Sequence, residues 1–171
     1  MQTPESIALA TPISEADQLL TMEPVVVDGG DSLHHIAELA VQNTACRVIA
    51  VVEQDQRLVG VIPVRALVND IFLKIVPEEF LAEITDYEAV LKYAKHLAAR
   101  TARDVMLDPV SVRRDETVRD AFERMHGSKL NGIPITDADG LVTGYVDQLE
   151  LLLVWVHASG RRTLLEPEQD R

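Results

Sequence analysis

Met106-Leu-Asp-Pro-Val-Ser-Val-Arg-Arg-Asp-Glu-Thr-Val118 opens the stretch that decides the fold, and Asn131-Gly-Ile-Pro-Ile-Thr-Asp-Ala-Asp-Gly-Leu-Val-Thr-Gly-Tyr-Val146 closes it. The first part contains Val110-Ser-Val112, in which two β-branched valines flank a serine, and this is typical of a strand. Between the two parts, apolar residues recur at helical spacing. The second part has two apolar runs around Asp139-Gly140, a strong hairpin signal. The stretch therefore predicts a strand, a helix and a β-hairpin, in that order.

The same pattern occurs earlier in the chain. Met22-Glu-Pro-Val-Val-Val27 is followed by a helical pattern that Ser32 can cap, and then by Val48 to Ile62, which contains two strand-like runs. Met22 aligns with Met106 and Gly60 with Gly144 at an offset of 84 residues. An apolar helix follows each hairpin, over 64–75 in the first copy and 149–156 in the second. The chain is thus predicted to be a tandem repeat of strand, helix, strand, strand, helix.

The order of elements in each repeat predicts the topology. A right-handed crossover makes the first and second strands parallel, and the hairpin makes the second and third antiparallel. The helices of one repeat can cover only one face of its small sheet, so a second repeat is needed to cover the other face and complete the core. We therefore predict an α+β (α/β-like) fold with two βαββα repeats, packed sheet to sheet with pseudo-twofold symmetry, and with helices inserted between the repeats.

The predicted segments follow from this pattern. Residues 1–13 lack a periodic apolar face and are interpreted as an N-terminal arm, and Ser14 is expected to cap a short helix that begins the first repeat. The segment 76–100 departs from the repeat: Pro77 opens one amphipathic helix, and Thr85-Asp-Tyr-Glu88 is a capping box for another. The predicted boundaries are an arm at 1–13, a first repeat at 14–75, a helical spacer at 76–100, a second repeat at 101–156 and a flexible tail at 157–171.

Composition restricts the classes of partner. The 171 residues include 16 Lys and Arg against 28 Asp and Glu, a net charge of −12, which disfavours nucleic acid and anionic membranes as partners. The longest apolar run, Leu151 to Val156, is far shorter than the roughly 20 residues needed to span a bilayer. The N-terminus lacks the pattern of a signal peptide, and the single Cys46 is expected to be a buried apolar residue. A cytoplasmic location is expected.

The quoted residues resemble the cystathionine β-synthase (CBS) domain family, in which a tandem pair is called a Bateman module. The resemblance rests on Met-x-x-Pro-Val-x-Val before an Asp-Glu-Thr helix start, on Gly132-Ile-Pro-Ile-Thr-Asp137, and on Gly144-Tyr-Val-Asp-Gln-Leu-Glu150. It covers about 14–156 without the spacer. It implies binding of adenine nucleotides or adenosyl compounds in clefts between the repeats, control of an enzyme, channel or transporter, and association into a dimer.

The resemblance also implies ligand-binding residues. In the family, backbone and apolar residues sandwich an adenine, while a Ser or Thr and an Asp after the third strand hold phosphate and ribose. The corresponding residues of the second copy are Ser111, Asn131, Gly132, Ile133, Pro134, Asp147 (at the Ser/Thr position) and Glu150 (at the Asp position). In the first copy, Pro63 and Ala66 occupy the last two positions and can make neither contact. Arg47 and Arg65 are either phosphate contacts there or solvent-exposed basic residues.

The departures from the family pattern indicate the ligand. A carboxylate at Asp147 would repel a phosphate in a partly desolvated site, whereas Glu150 can still accept hydrogen bonds from ribose hydroxyls. We therefore expect an adenosyl ligand without a phosphate at this end, with S-adenosylmethionine more compatible than AMP or ATP. No cofactor is expected to be required, and the scattered histidines and missing nucleophile motifs predict neither a metal site nor an enzyme.

Two functions agree with these observations. The first is a stand-alone regulatory module, homodimeric and cytoplasmic, that senses an adenosyl ligand and controls an unidentified enzyme or transporter. The alternative is a degenerate pair that binds no nucleotide and acts as a structural homodimer, with the spacer helices contacting its partner.

Overall fold

Six strands form two three-stranded sheets in the computed structural model of the chain, which describes residues 3–72, 88 and 99–163. The strands are β1 (Val26–Asp28), β2 (Val48–Val52), β3 (Leu58–Pro63), β4 (Val112–Arg113), β5 (Gly132–Thr136) and β6 (Val142–Asp147). The helices of the described residues are α1 (Pro4–Ala10), α2 (Ile13–Ala16), α3 (Leu33–Gln42), α4 (Val64–Phe72), α5 (Ala102–Val105), α6 (Val118–Ser128) and α7 (Gln148–Thr163).

The duplication is visible in the strand pairing. β1 pairs parallel with β2 and β2 antiparallel with β3, and β4, β5 and β6 repeat this arrangement. Both antiparallel pairs carry a register irregularity at the equivalent place, between Val51 and Val52 in one sheet and between Ile135 and Thr136 in the other. The predicted α+β class with two βαββα repeats is confirmed, including the parallel and antiparallel pairings.

The chain divides into two compact units that exchange segments. One unit is Val25–Pro109, and the other combines Met1–Pro24 with Val110–Arg171. The boundaries predicted at 14 and 101 follow the sequence repeat. In the structure, Met1–Pro24 belongs to the unit that contains the second sheet, and the residues up to Pro109 belong to the unit that contains the first. Local sequence patterns do not encode this exchange, because it joins residues that are distant in sequence.

In the unit Val25–Pro109, the exchanged segment adds to the sheet edge. Val61 and Leu107 donate backbone hydrogen bonds to each other, at 3.1 Å and 2.9 Å. A Cβ atom on Gly60 would lie 2.6 Å from Met106 Sδ and 2.8 Å from the Leu107 carbonyl oxygen, so glycine permits this close approach. The Ser32 side chain accepts a hydrogen bond from the His35 amide at 3.2 Å, which confirms the predicted cap of α3.

Cys46 lies in the same unit and is 2% exposed. Its thiol donates to the Val48 carbonyl oxygen at 3.1 Å. The prediction of a buried structural cysteine is confirmed.

In the other unit, the N-terminal residues are more ordered than their sequence indicates. Residues 4–10 form helix α1, which Thr3 caps and which packs on α7, with the indole of Trp155 donating to Glu5 Oε1 at 3.2 Å. The arm at 1–13 was predicted without a helix because its residues show no periodic apolar face, and seven residues are too few to be helical alone. Tertiary contacts supply the missing stability.

Two predicted helix ends in this unit were wrong. α2 begins at Ile13 after Pro12, not after Ser14, and the Ser14 amide donates to the Arg114 carbonyl oxygen at 3.0 Å. α7 continues to Thr163, beyond the predicted end at Val156 and into the segment interpreted as a tail. Ser159 and Gly160 weaken a helix without ending it.

The spacer helices predicted at Pro77 and at Thr85–Glu88 lie outside the described residues, except for Glu88 itself. Within the described part of the chain, none of the helices combines the length and the apolar character that crossing a membrane requires.

Candidate functional site in the second repeat

The end of the β5–β6 hairpin brings most of the predicted ligand residues together. The antiparallel register places Gly132 opposite Asp147 and Pro134 opposite Tyr145. The Gln148 amide donates to the Asn131 carbonyl oxygen at 3.0 Å, which joins the start of β5 to the start of α7. Asn131, Gly132, Asp147 and Glu150 therefore share one end of the sheet, and Ile133 and Pro134 continue along β5.

Asp147 and Glu150 form a reciprocal cap at the start of α7. Asp147 Oδ1 accepts hydrogen bonds from the amides of Leu149 at 2.8 Å and Glu150 at 3.0 Å. In return, Glu150 Oε2 accepts from the Asp147 amide at 3.3 Å. This is the geometry of a capping box, in which two amides without helical partners are satisfied by side chains. Both residues are buried, at 5% and 4% exposure.

Glu150 also ties the chain that precedes β1 to α7. Its other oxygen, Oε1, accepts a hydrogen bond from the Met22 amide at 3.0 Å. Burial raises the pKa of the Glu150 carboxyl, and the amides of Met22 and Asp147 act in the opposite direction by stabilising its charged form. Both oxygens that the family resemblance assigns to ribose are therefore engaged within the protein.

Tyr145 covers the segment predicted to hold the adenine. Its side chain is 1% exposed, and a Cβ atom built on Gly132 would lie 2.0 Å from its hydroxyl oxygen and 2.5 Å from its Cζ atom. Any side chain at position 132 would therefore displace the tyrosine ring. Tyr145 was not predicted as a site residue, although the hairpin register that pairs it with Pro134 provides a signal.

Ser111 is held from two sides. Its hydroxyl lies 3.4 Å from the Thr136 hydroxyl, and its carbonyl oxygen accepts from Arg124 Nη1 at 2.7 Å. The same guanidinium donates to Glu116 Oε2 at 2.6 Å. The Arg124 hydrogen bond lowers the pKa of Glu116, and Glu116 raises the pKa of Arg124. The pair of Glu116 and Arg124 was not predicted from the sequence, because nothing local links an arginine on α6 to a carbonyl oxygen before β4.

Arg47 and Arg65 belong to the other compact unit. Both are exposed, and the Val64 amide donates to the Arg47 carbonyl oxygen at 3.0 Å, so the two residues lie on adjoining backbone. Pro63, at the position where the family has a Ser or Thr, is buried at the end of β3.

No cluster of three or more His, Cys, Asp or Glu side chains suitable for a metal occurs among the residues that the structure describes. The groups at the hairpin end are backbone amides and carbonyls, a buried apolar strand, the Ser111 hydroxyl and two buried carboxylates.

The fold has clear counterparts among solved structures. A CBS domain-containing protein from Thermotoga maritima is 22% identical, with a TM-score of 0.64, and the match covers 94% of this chain and 98% of that one. CBSX2, a CBS-pair protein from Arabidopsis thaliana, matches in its structure with AMP at 18% identity and a TM-score of 0.63, over 88% of this chain and 99% of that one.

A third counterpart is the CBS domain pair of protein MJ0100, in a structure with 5′-methylthioadenosine and S-adenosyl-L-methionine. It is 16% identical, with a TM-score of 0.60, and the match covers 86% of this chain and 98% of that one. At these identities the likeness establishes the fold alone. A search of curated proteins found no match.

The sequence itself matches the family model described as "CBS domain" at residues 10–72 and again at 102–156, which together exceed half of the chain. Both matched regions contain one strand–helix–hairpin–helix repeat of the structure. The chain belongs to the CBS-domain family and carries two copies of the domain.

Proposed function

We propose that the chain is a CBS-pair regulatory module that recognises an adenosyl ligand and controls a partner enzyme or transporter. The observation that carries this proposal is the chemistry shared by its structural counterparts, of which CBSX2 was solved with AMP and the MJ0100 pair with 5′-methylthioadenosine and S-adenosyl-L-methionine. All three ligands contain adenosine. The proposed role is regulatory, and no catalytic residue is assigned.

The charge of the second repeat favours some adenosyl compounds over others. The Asp147 carboxylate, 5% exposed, stands where the family has a Ser or Thr that meets a phosphate. An anionic group brought close to this carboxylate would be repelled more strongly than in water, because the site is partly desolvated. We therefore propose that the second repeat prefers 5′-methylthioadenosine or S-adenosylmethionine, which carry no phosphate, over AMP and ATP.

Regulation requires that the ligand bind two arrangements of the protein with different affinity. We propose that Glu150 couples ligand binding to the change in arrangement, since its two oxygens accept hydrogen bonds from the Asp147 amide and the Met22 amide. A ligand hydroxyl that competes for Oε1 would loosen the segment at Met22 from α7. We propose this exchange of hydrogen bonds as the switch.

A second function is favoured by a specific observation. Asp147 and Glu150 already cap α7, and Tyr145 already covers Gly132, so the residues expected to meet a ligand have partners in the protein. These satisfied contacts favour a degenerate CBS pair, which binds no nucleotide and serves as a structural homodimer.

Thermal shift and calorimetric titration separate the two functions. We expect 5′-methylthioadenosine and S-adenosylmethionine to raise the melting temperature with increasing concentration, and AMP to do so weakly. The matched variant is Asp147→Ser, which keeps a capping oxygen and removes the charge, and its affinity for AMP should increase. Tight AMP binding to the wild type would overturn the ligand order. A flat response to all compounds would favour the structural function.

A further inference from the structure

Two acidic side chains, Asp147 and Glu150, are buried together at the start of α7. Their carboxylates accept hydrogen bonds from backbone amides, namely those of Leu149 and Glu150 for Asp147 and those of Asp147 and Met22 for Glu150. Within the part of the chain that the structure describes, no Lys, Arg or His residue is buried. The amide dipoles therefore compensate the charge of this pair without the help of a buried cation.

The elements packed around the pair do not bring a cation to it. The Arg124 guanidinium of α6 is bound to the Glu116 carboxylate. The other ionisable residues of α1, α6 and the segment at Met22 are exposed or half-exposed, and they are Glu5, Glu23, Arg119, Asp120, Glu123 and His126. Burial raises the pKa of Glu150, and repulsion by the Asp147 carboxylate adds to this rise. The two carboxyls are therefore coupled to each other more closely than to any other charge.

A ligand that carries a phosphate would add a further negative charge beside this pair. In a partly desolvated site the repulsion is stronger than in water. One proton bound by the pair removes one of the negative charges and leaves a carboxyl hydroxyl that can donate a hydrogen bond to the ligand. Because the two carboxyls interact, this proton belongs to the pair rather than to Asp147 or Glu150 alone.

A ligand without a phosphate has the opposite effect on the pair. Ribose hydroxyls that donate to Glu150 favour the charged form of its carboxyl, since a hydrogen bond to a carboxylate stabilises the negative charge. A cationic ligand favours the charged form as well, by direct attraction. The number of protons that the pair takes up on binding therefore depends on the charge of the ligand.

We propose that the pair of Asp147 and Glu150 takes up a proton when a phosphate-bearing adenosyl ligand binds at the second repeat, and takes up none when the ligand is neutral or cationic. The ligand preference of this repeat then depends on pH. Phosphate-bearing compounds bind better in acidic solution, and compounds without a phosphate are favoured near neutrality. The inference rests on the proposed function, because it requires that an adenosyl ligand reach the end of the β5–β6 hairpin.

Calorimetric titration of the full chain in two buffers of different ionisation enthalpy measures the number of protons exchanged on binding. The anionic probe is adenosine 5′-(methyl phosphate), a diester of fixed charge, because AMP itself ionises near pH ~6. The neutral probe is 5′-methylthioadenosine. For the diester we expect an uptake approaching one proton and an affinity that falls by up to about tenfold for each unit of rising pH. For 5′-methylthioadenosine we expect no uptake and no loss of affinity as pH rises.

The matched variant combines Asp147→Asn with Glu150→Gln, which keep oxygens that can cap α7 and cannot take up a proton. It should bind the diester with no proton uptake and with an affinity independent of pH. Glu123→Gln removes an exposed acid from α6 and should keep the proton uptake of the wild type. Circular dichroism checks the folding of each variant. If the double variant is unfolded, Glu150→Gln alone should still reduce the uptake, and an unchanged uptake would count against the pair.

The outcomes separate this inference from the proposed function. Diester binding with proton uptake that disappears in the double variant supports the inference. Equal proton exchange for both probes, or an uptake that persists in the folded double variant, would overturn it and leave the proposed binding of adenosyl ligands intact. Binding of neither probe at any pH would overturn both.

Discussion

The side chains of Asp147 and Glu150 cap the start of α7 by accepting hydrogen bonds from each other's backbone amides. The Glu150 amide donates to Asp147 Oδ1 at 3.0 Å, and the Asp147 amide donates to Glu150 Oε2 at 3.3 Å. The same arrangement, with Thr in the first position and Asp in the second, starts α5 at Thr101 and α6 at Thr117. The two positions that the family uses for phosphate and ribose therefore also have a structural role in this chain. Substitutions there are therefore expected to change helix stability as well as the proposed ligand preference.

The first prediction separates these two effects at Asp147. Asp147→Ala removes the oxygen that accepts from the Leu149 and Glu150 amides, and we expect it to lower the free energy of unfolding by about 1 kcal/mol. Asp147→Ser retains a capping oxygen and should stay within about 0.5 kcal/mol of the wild type. Urea unfolding measures both. Equal losses in the two variants would show that the side chain does not act as a cap.

The second prediction concerns the pH dependence that Glu150 contributes. Its pKa in the folded protein is raised above the ordinary 4.5, chiefly by burial, so the folded state binds the proton more tightly than the unfolded state. The resulting stabilisation is complete below about pH 4.5 and is lost as pH rises through the raised pKa. The stability of the wild type relative to Glu150→Gln should therefore fall between pH 4 and pH 8 in thermal melts. A difference that rises over this range would contradict the burial of the charge.

Much of the fold could be predicted from local patterns. The duplication, the parallel and antiparallel pairings and the Ser32 cap each depend on residues close together in sequence, where periodicity and turn chemistry act directly. The exchange of segments could not be predicted this way, because the pairing of Val61 with Leu107 joins residues that are 46 positions apart. α1 was missed for the same reason, since its stability comes from α7.

The candidate site was predictable in position and less so in role. The family motif places Asn131, Gly132, Asp147 and Glu150 at one hairpin end, and the structure brings these residues together there. Asp-x-x-Glu before an apolar run is also a capping-box signature, and it could have been recognised at 147–150 from the sequence. Arg124 acts through tertiary contacts, which no local pattern specifies, whereas the hairpin register that pairs Tyr145 with Pro134 provides a local signal for Tyr145.

The third prediction uses the pair of Glu116 and Arg124, whose pH dependence has the opposite sign. The hydrogen bond from Arg124 lowers the pKa of Glu116 below its usual 4.5. The stabilisation that this pair contributes is therefore present above about pH 4.5 and is lost as pH falls through the lowered pKa. We expect the wild type to lose its advantage over Glu116→Gln on acidification below pH 4.5, measured by urea unfolding at pH 3 to 7.

The matched control for that pair is Arg124→Lys, which keeps the positive charge and loses the planar, two-pronged geometry that joins Glu116 to the Ser111 carbonyl oxygen. If the geometry matters, this variant should be less stable than the wild type by about 1 kcal/mol at neutral pH. Unchanged stability in Arg124→Lys, together with a flat pH difference in Glu116→Gln, would show that the pair does not hold the segment at Ser111.

The fourth prediction compares two equivalent glycines, Gly60 and Gly144, which lie 84 positions apart in the two repeats. Alanine at Gly60 would place a Cβ atom 2.6 Å from Met106 Sδ and 2.8 Å from the Leu107 carbonyl oxygen, and that backbone atom cannot move without breaking its hydrogen bond to Val61. We expect Gly60→Ala to lower the free energy of unfolding by about 1–3 kcal/mol, as overpacking does.

At Gly144 the nearest atom to an added Cβ is the flexible Cδ1 end of Ile135, at 3.3 Å, so a small side-chain shift suffices. Since alanine also restricts the unfolded chain, Gly144→Ala should be neutral or stabilising by up to about 1 kcal/mol. Urea unfolding of both variants measures the contrast, which arises because the segment 106–107 crosses Gly60 closely. Equal losses at the two glycines would instead mean that alanine is disfavoured by the strand itself, and the close approach of Met106 and Leu107 would then contribute nothing to the stability of the repeat.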